Sequence, residues 1–338
     1  MTVLQFVARR LALTIPLLLG IIFITFMLIR IGGQDAVGML TSPLASKQEV
    51  DAIRASLGLD RPLLEQFAIY IGNVLQGDLG NSWQSKQPVL GEILRRLPAS
   101  IELLFLSIIL GAAIGIPIGL RAAMRPNGLF DQVSRFVSLI GFSVPTYWMA
   151  LMALFVFYLG LRWTPPPMGR ISIAAFPPKP VTGSYFLDSL FAGDWSAASS
   201  AGHYLILPVA VFSLIVAAPI IKQTRAIAIE ILNSDYVRLA RLYGFRPQTI
   251  RRLTLRNAFT PIATYIGSEL ATLLAAVSLV ELVFSWGGLG QWGLNAILFG
   301  DFAAVQGYVL TLAIFATTIY LLVDVAVLVL EPRSAISK

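Results

Sequence analysis

The sequence predicts an all-α integral membrane protein with six transmembrane helices and both termini on the cytoplasmic side. Three observations predict it: the balance of apolar to charged residues, six long stretches nearly free of charge, and an uneven placement of Lys and Arg around them. Of 338 residues, 57% are hydrophobic and 13% charged, against about 45–50% and about 25% in ordinary globular chains. A water-soluble fold of this length could not cover that much apolar surface.

Each span needs roughly 20 apolar residues to cross the hydrocarbon layer as a helix. Charge-free runs of that order extend over Leu11–Ile29, Leu103–Leu120, Phe136–Leu161, Tyr204–Ile221 and Phe302–Val323. A sixth, Asn257–Val280, is interrupted only by Glu269. Arg9 and Arg10 before the first run resemble the charged region of a secretion signal, but the run is too long and lacks a small-residue cleavage site. With the N-terminus inside, cytoplasmic segments hold fifteen of the 25 Lys and Arg and only four acids, a balance of +11. External segments balance to zero, and Glu102, Glu269, Glu281 and Asp324 lie within or at the edges of spans. The net charge of +7 therefore reports orientation, and no nucleic-acid partner is needed to explain it.

Between the first two spans, Gly32–Pro98 predicts three short helices. Ser46 and Glu49 form a capping box for one that ends near Gly58. Asp60 and Pro62 open a second, with Leu63, Phe67, Tyr70, Ile71 and Val74 on one face and Gly77 as its stop. A third runs from about Pro88 through Val89, Leu90, Ile93, Leu94 and Leu97. Their apolar faces require a surface to lie on, either in a self-packed external cap or against a partner, and Asp78 and Trp83 are the candidate contacts. The loop Arg162–His203 carries two proline clusters and predicts irregular structure.

The cytoplasmic segment 222–256 predicts a two-turn helix. Ser234 or Asp235 caps it, Tyr236, Arg238, Ala240 and Arg241 lie along it, and Gly244 ends it as the left-handed residue. Pro247 then opens the fifth span's helix. A helix this short is unstable alone. It either docks into a partner or belongs to a basic loop whose arginines reach lipid phosphates.

Zero cysteines and a single histidine, His203, exclude thiolate metal sites, disulfides and multi-histidine centres. The five lysines follow Ser46, Ser85, Pro178, Ile221 and Ser337, never glycine, so no phosphate-binding Walker loop exists. Within the fifth span, Tyr265, Glu269, Thr272 and Ser278 recur at intervals of four, three and six and predict a loosely shared polar face. A carboxylate at that depth must be protonated, paired or facing a wet cavity.

The segment Asp235-Tyr236-Val237-Arg238-Leu239-Ala240-Arg241-Leu242-Tyr243-Gly244, followed by Leu255-Arg256-Asn257-Ala258 and Pro261, resembles the cytoplasmic "EAA" loop of permeases of binding-protein-dependent ABC importers. The similarity is greatest to the dipeptide, oligopeptide and nickel branch, and to its dipeptide B-type subunit. Leu57-Gly58-Leu59-Asp60, Gly77-Asp78-Leu79-Gly80 with Ser82, Ser143-Val144-Pro145 with Trp148, Glu281-Leu282-Val283-Phe284-Ser285-Trp286 with Gly288-Leu289-Gly290, and Leu322-Val323-Asp324 agree in order. Arg238-Leu239-Ala240 stands where the general pattern reads Glu-Ala-Ala, Asn257 and Gly287 replace prolines, and Glu269 replaces an uncharged amide.

The resemblance implies a type I ABC importer transmembrane fold in the bacterial or archaeal inner membrane. Residues 1–98 would form the first helix and external segment, and residues 99–330 the core. It also implies a second homologous permease, two cytoplasmic ATPase subunits that bind ATP and Mg, and a substrate-binding protein outside. This chain would hold no cofactor and catalyse nothing, and Asp235, Tyr236, Arg238, Ala240, Arg241 and Gly244 would contact an ATPase. Two competing classes remain: an ion-coupled secondary transporter or channel using Glu269 or Asp324 as a proton relay, and an intramembrane hydrolase pairing His203 with a serine.

Overall fold

The computed structural model describes residues 3–31 and 60–330, together with Ser46 and Gln48. The capped helix expected over Ser46–Gly58 and the C-terminal residues 331–338 lie outside the described residues. The helices are α1 (Val3–Ile31), α2 (Leu63–Leu75), α3 (Val89–Met124), α4 (Leu129–Ser143), α5 (Thr146–Ala153, continued as a π-helical stretch Leu154–Gly160), α6 (Tyr185–Phe191), α7 (Trp195–Leu232), α8 (Asp235–Leu242), α9 (Pro247–Val283), α10 (Leu289–Leu298) and α11 (Phe302–Leu330). Among the described residues there is no strand beyond one isolated bridge between Asn81 and Pro88.

Helices α1, α3, α7, α9 and α11 are long and apolar enough to cross a membrane. The third expected span departs from expectation. The run Phe136–Leu161 is not one helix but two, α4 and α5, bent by 101° at their junction. Pro145 is the cause: it pushes the residue before it out of the helical region, and Val144 is extended at φ −80° and ψ 127°.

A second correction concerns Pro98. The helix expected from Pro88 to Leu97 does not end there but continues through Pro98 and Pro117 to Met124 as part of α3. Tertiary contacts carry the chain past the proline: Trp286 Nε1 donates to the Ala99 carbonyl at 3.1 Å, and the Leu289 amide donates to Ser100 Oγ at 2.8 Å. The expected division between residues 98 and 99 thus falls inside one helix.

Helices α3 and α7 form the most extensive packing in the molecule. Gly111, Gly115 and Gly119 recur every four residues on α3 and let the two backbones approach. A Cβ at these positions would lie 2.9 Å from Val216 Cγ1, 2.8 Å from Ile220 Cγ2 and 2.7 Å from the Ile221 carbonyl oxygen. Around this seam Leu103, Leu104, Phe212, Val216, Leu274 and Val277 build the main buried cluster.

The apolar face of α2 finds its surface on α1. Phe67 meets Phe23 and Phe26 edge-on at 5.1 and 5.4 Å between ring centres, and Tyr70 stacks on Phe26 at 5.8 Å. In turn α1 lies against α11, where Arg10 pairs with Asp324 at 2.7 Å. The loop Arg162–His203 is irregular as expected only up to Ser184; α6 occupies Tyr185–Phe191 and α7 starts at Trp195, where Ser184 and Asp194 cap the two helices. The irregular part is organised by Asp188, which accepts from the Val181, Thr182 and Gly183 amides and the Thr182 hydroxyl. Burial disfavours the charged form of Asp188, but these hydrogen bonds outweigh it and hold the carboxyl below its usual range.

Candidate functional site: a docking helix, a polar stretch of α9 and an anchored turn

Helix α7 ends at Leu232 and the chain turns through Asn233 and Ser234 into α8. Ser234 occupies the N-cap position without capping, because its hydroxyl donates back to the Ile231 carbonyl at 2.5 Å. Asp235 in the first turn instead places a negative charge at the helix's positive end. At the other end Gly244 has φ +77°, its amide donates to the Arg241 carbonyl and the Phe245 amide to the Ala240 carbonyl. This paired closure is a Schellman motif, and it demands a left-handed residue at Gly244. Pro247 then opens α9 at its first turn.

One face of α8 is committed to this chain. Val237 and Ala240 are buried against Leu120, Ala123, Ala228, Leu232 and Ile250. Ala240, grouped from the sequence with the partner-contacting residues, therefore seats the helix on α3, α7 and α9. The opposite face is open: Tyr236 is 47%, Leu239 53% and Tyr243 75% exposed, flanked by exposed Asp235, Arg238 and Arg241. Leu239, Tyr243 and the exposed Phe245 extend this face beyond the residues expected from the sequence. The spacing of Tyr236, Leu239 and Tyr243, three and four residues apart, is the signal that marks them as one face.

Tyr265, Glu269 and Thr272 do share a side of α9. Thr272 Oγ1 donates to the Glu269 carbonyl at 2.8 Å and lies 3.4 Å from Glu269 Oε2, and Tyr265 is one turn earlier. Glu269 is half-buried and has no ion-pair partner among the described residues. Ser278 does not join them. Thirteen residues past Tyr265, at about 100° each, it comes round to the opposite side of the helix. There it is 2% exposed and its hydroxyl meets Tyr308 Oη at 3.0 Å.

The segment that begins at Glu281 is a structural knot that the sequence did not explain. Glu281 is fully buried, and its Oε2 accepts from the Gln291 amide at 2.9 Å, closing the first turn of α10. Gly288 abuts the Glu281 carboxylate, Gly290 abuts Ser278 and Gly293 lies flat on the Tyr308 ring, each too close for any Cβ.

The Gly77–Ser85 turn is rigid. Gly77 and Gly80 have φ of +82° and +80°, and Asp78 Oδ1 accepts from the Gly80 amide at 2.8 Å. Ser82 Oγ donates to Asp301 Oδ2 at 2.5 Å, while Asp301 Oδ1 caps α11 by accepting from the Ala304 amide at 3.2 Å. Asp78 is exposed on this turn, and Trp83 is half-buried with an indole N–H that has no partner. This turn and α8 flank opposite ends of the 36-residue α3, roughly 50 Å apart at 1.5 Å per residue.

His203 is exposed and its Nδ1 sits 2.8 Å from the Ser199 carbonyl oxygen, a contact within one turn of α7. Asp324 is engaged by Arg10. Neither arrangement supports the two competing readings.

The described residues thus form a multi-span helical membrane protein with an exposed two-turn helix between two of its spans. Residues 115–336 match the family model described as binding-protein-dependent transport system inner membrane component, and residues 3–104 match the N-terminal model of such membrane components. The chain is 37% identical over 335 residues to the dipeptide transport system permease protein DppB of Escherichia coli K12, covering 98% of each chain. It is 35% identical over 333 residues to the di/tripeptide transport system permease protein DppB of Pseudomonas aeruginosa, again covering 98% of each. A probable D,D-dipeptide transport system permease protein, DdpB of Escherichia coli K12, is 35% identical over 315 residues, 93% of this chain and 92% of the relative. The chain belongs to the family of inner-membrane permease components of binding-protein-dependent ABC importers. It is a multi-pass inner-membrane protein with the all-α fold of that family.

Proposed function

We propose that this chain is one of two homologous permease subunits that together enclose the path of an ATP-driven dipeptide importer. Two separate ATPase subunits, carrying ATP and Mg, dock from the cytoplasm, one on α8 of this chain and one on the second permease, and a substrate-binding protein delivers the peptide outside. Helices α3 to α11 form the translocating core and α1 and α2 its leading part, a division ahead of α3 because residue 98 lies inside that helix. The reading rests on the 37% identity to a dipeptide permease over 98% of both chains. The two-faced α8 supports it, and the excess of Lys and Arg supports a cytoplasmic position for that helix and both termini. Chain-specific pull-down from solubilised membranes tests the assembly: an ATPase pair and a second permease should be recovered in fixed ratio, and recovery of this chain alone would refute it.

Mechanistically, nucleotide-driven closure of the ATPases moves α8, and the spans rock between outward and inward access. Asp235, Tyr236, Arg238 and Arg241 form the ATPase contact, with Ala240 and Gly244 fixing the helix's seat and end. Asp78 and Trp83, held on the anchored turn, face the binding protein or the partner permease. Photo-crosslinking from Trp83 or Asp78 should capture one of these, and labelling of lipid alone in every state would contradict it.

Tyr265, Glu269 and Thr272 line the path and favour cationic groups such as a peptide amino terminus. Glu269→Gln retains shape and hydrogen bonding. It should lower uptake of cationic relative to neutral peptides about fivefold, the size of a partly screened charge interaction near 1 kcal/mol. Unchanged relative rates would make the carboxylate structural.

A further inference from the structure

Helix α4 touches the rest of the chain through a narrow strip. Asp131, Ser134 and Ser138 are its buried residues, and a Cβ on Gly141 would lie 2.9 Å from Ala218 Cβ of α7. Leu129, Phe136, Leu139 and Phe142 point away and are largely exposed. The two serines make no bond across to α7, since Ser134 Oγ donates to the Phe130 carbonyl and Ser138 Oγ to the Ser134 carbonyl, both within α4.

One polar link joins α4 to α7 among the described residues. Arg225 grips Asp131 with both arms of its guanidinium, Nε on Oδ1 and the terminal nitrogen on Oδ2 at 2.9 Å. The Asn127 amide donates to Oδ2 at 2.9 Å, and Arg135 Nε stands 3.8 Å away. Asp131 is fully buried. A buried ion pair adds little net stability over apolar residues of equal size, so its presence calls for another explanation. What a forked pair supplies is orientation: two parallel bonds resist sliding and rotation that apolar packing permits.

Position gives that property a use. Arg225 lies seven residues before the end of α7 at Leu232, about 10 Å along that helix, and α8 begins at Asp235 just beyond the Asn233–Ser234 turn. Between them Ala228 and Leu232 pack under Val237 and Ala240, so the end of α7 and α8 form one body. Beyond α4 the chain makes the 101° bend into α5.

We propose that the Asp131–Arg225 pair is the linkage through which displacement of α8 reaches the bent third span. Both are positioning residues: they touch neither peptide nor nucleotide, and they make α4 follow α7. The proposal rests on α8 being the ATPase contact.

The test uses the full complex in proteoliposomes, measuring labelled dipeptide uptake and ATP hydrolysis together. Arg225→Lys keeps the charge and loses the fork, and Asp131→Leu/Arg225→Met replaces the pair with apolar side chains that leave no buried charge unpaired. In the double variant, stimulated hydrolysis should stay within about twofold while peptide moved per ATP falls at least tenfold. Arg225→Lys should lower that ratio about threefold, and this variant decides the matter if the double variant does not assemble. An unchanged ratio, or uptake and hydrolysis falling in parallel, would overturn the linkage. A wild-type complex whose uptake ignores ATP would instead strike the function proposed above, leaving the two failures distinguishable.

Discussion

Replacing Gly244 with valine should leave the protein inserted in the membrane at normal levels and abolish transport. The residue sits at φ +77°, and its amide and that of Phe245 close α8 onto Arg241 and Ala240. An L-residue pays about 1–2 kcal/mol in that region, and a β-branched one is worse placed still. No atom lies within 4 Å of a Cβ built there, so the penalty is backbone strain and not collision. Relief comes from unwinding the last turn of α8, which redirects the chain before Pro247 and displaces Tyr243 and Phe245 from the exposed face. The ATPase pair should be lost on solubilisation, while Gly244→Asn, which tolerates the left-handed region, should retain it. Normal uptake by Gly244→Val would remove α8 from the coupling role.

Gly119→Leu should have the largest effect on the fold itself. The added Cβ would press on the Ile221 carbonyl oxygen at 2.7 Å and on Thr224 Cβ at 2.8 Å. Backbone cannot yield as a flexible side chain does, so α3 and α7 must separate along their principal seam. Overpacking costs about 1–3 kcal/mol where side chains can move, and a cost at or above that upper end is expected here. The variant should aggregate or lose its monodisperse peak in detergent. Gly91→Leu, on the same helix with nothing within 4 Å of the added Cβ, is the matched control and should behave as wild type.

What the sequence made legible follows the range of the forces involved. Hydropathy and charge are local, so the five long spans and the apolar stretch that forms the bent pair α4–α5 could be read, in order, from charge-free runs. The ends of α8 were equally readable, because Asp235, Gly244 and Pro247 act within a turn of where they stand. Long-range decisions were not. The external segment reads as ending at Pro98, yet the helix there runs on to Met124, and Trp286 and Leu289, nearly two hundred residues later, bond to Ala99 and Ser100 just past the proline. The bend at Val144-Pro145 lies within an uncharged run and leaves hydropathy unchanged. Ser278 was misgrouped because its distance from Tyr265 spans more than three turns, over which a loose count of intervals loses the helix face. Ala240 looked like a contact residue until the packing of α3 and α9 beneath it was known. Glu281 could be placed at a span's edge, but its capping of α10 depends on a chain reversal that no local signal records.

In the importer proposed above, ATP hydrolysis delivered through α8 drives uptake. Reconstituting the permease pair with its ATPase subunits in proteoliposomes, adding loaded binding protein on one side and ATP on the other, measures it directly. Uptake of a labelled dipeptide should require both additions, stop when the ATPase is inactivated, and be indifferent to an imposed proton or sodium gradient. Uptake that follows the gradient without ATP would contradict the account and assign Glu269 to an ion relay.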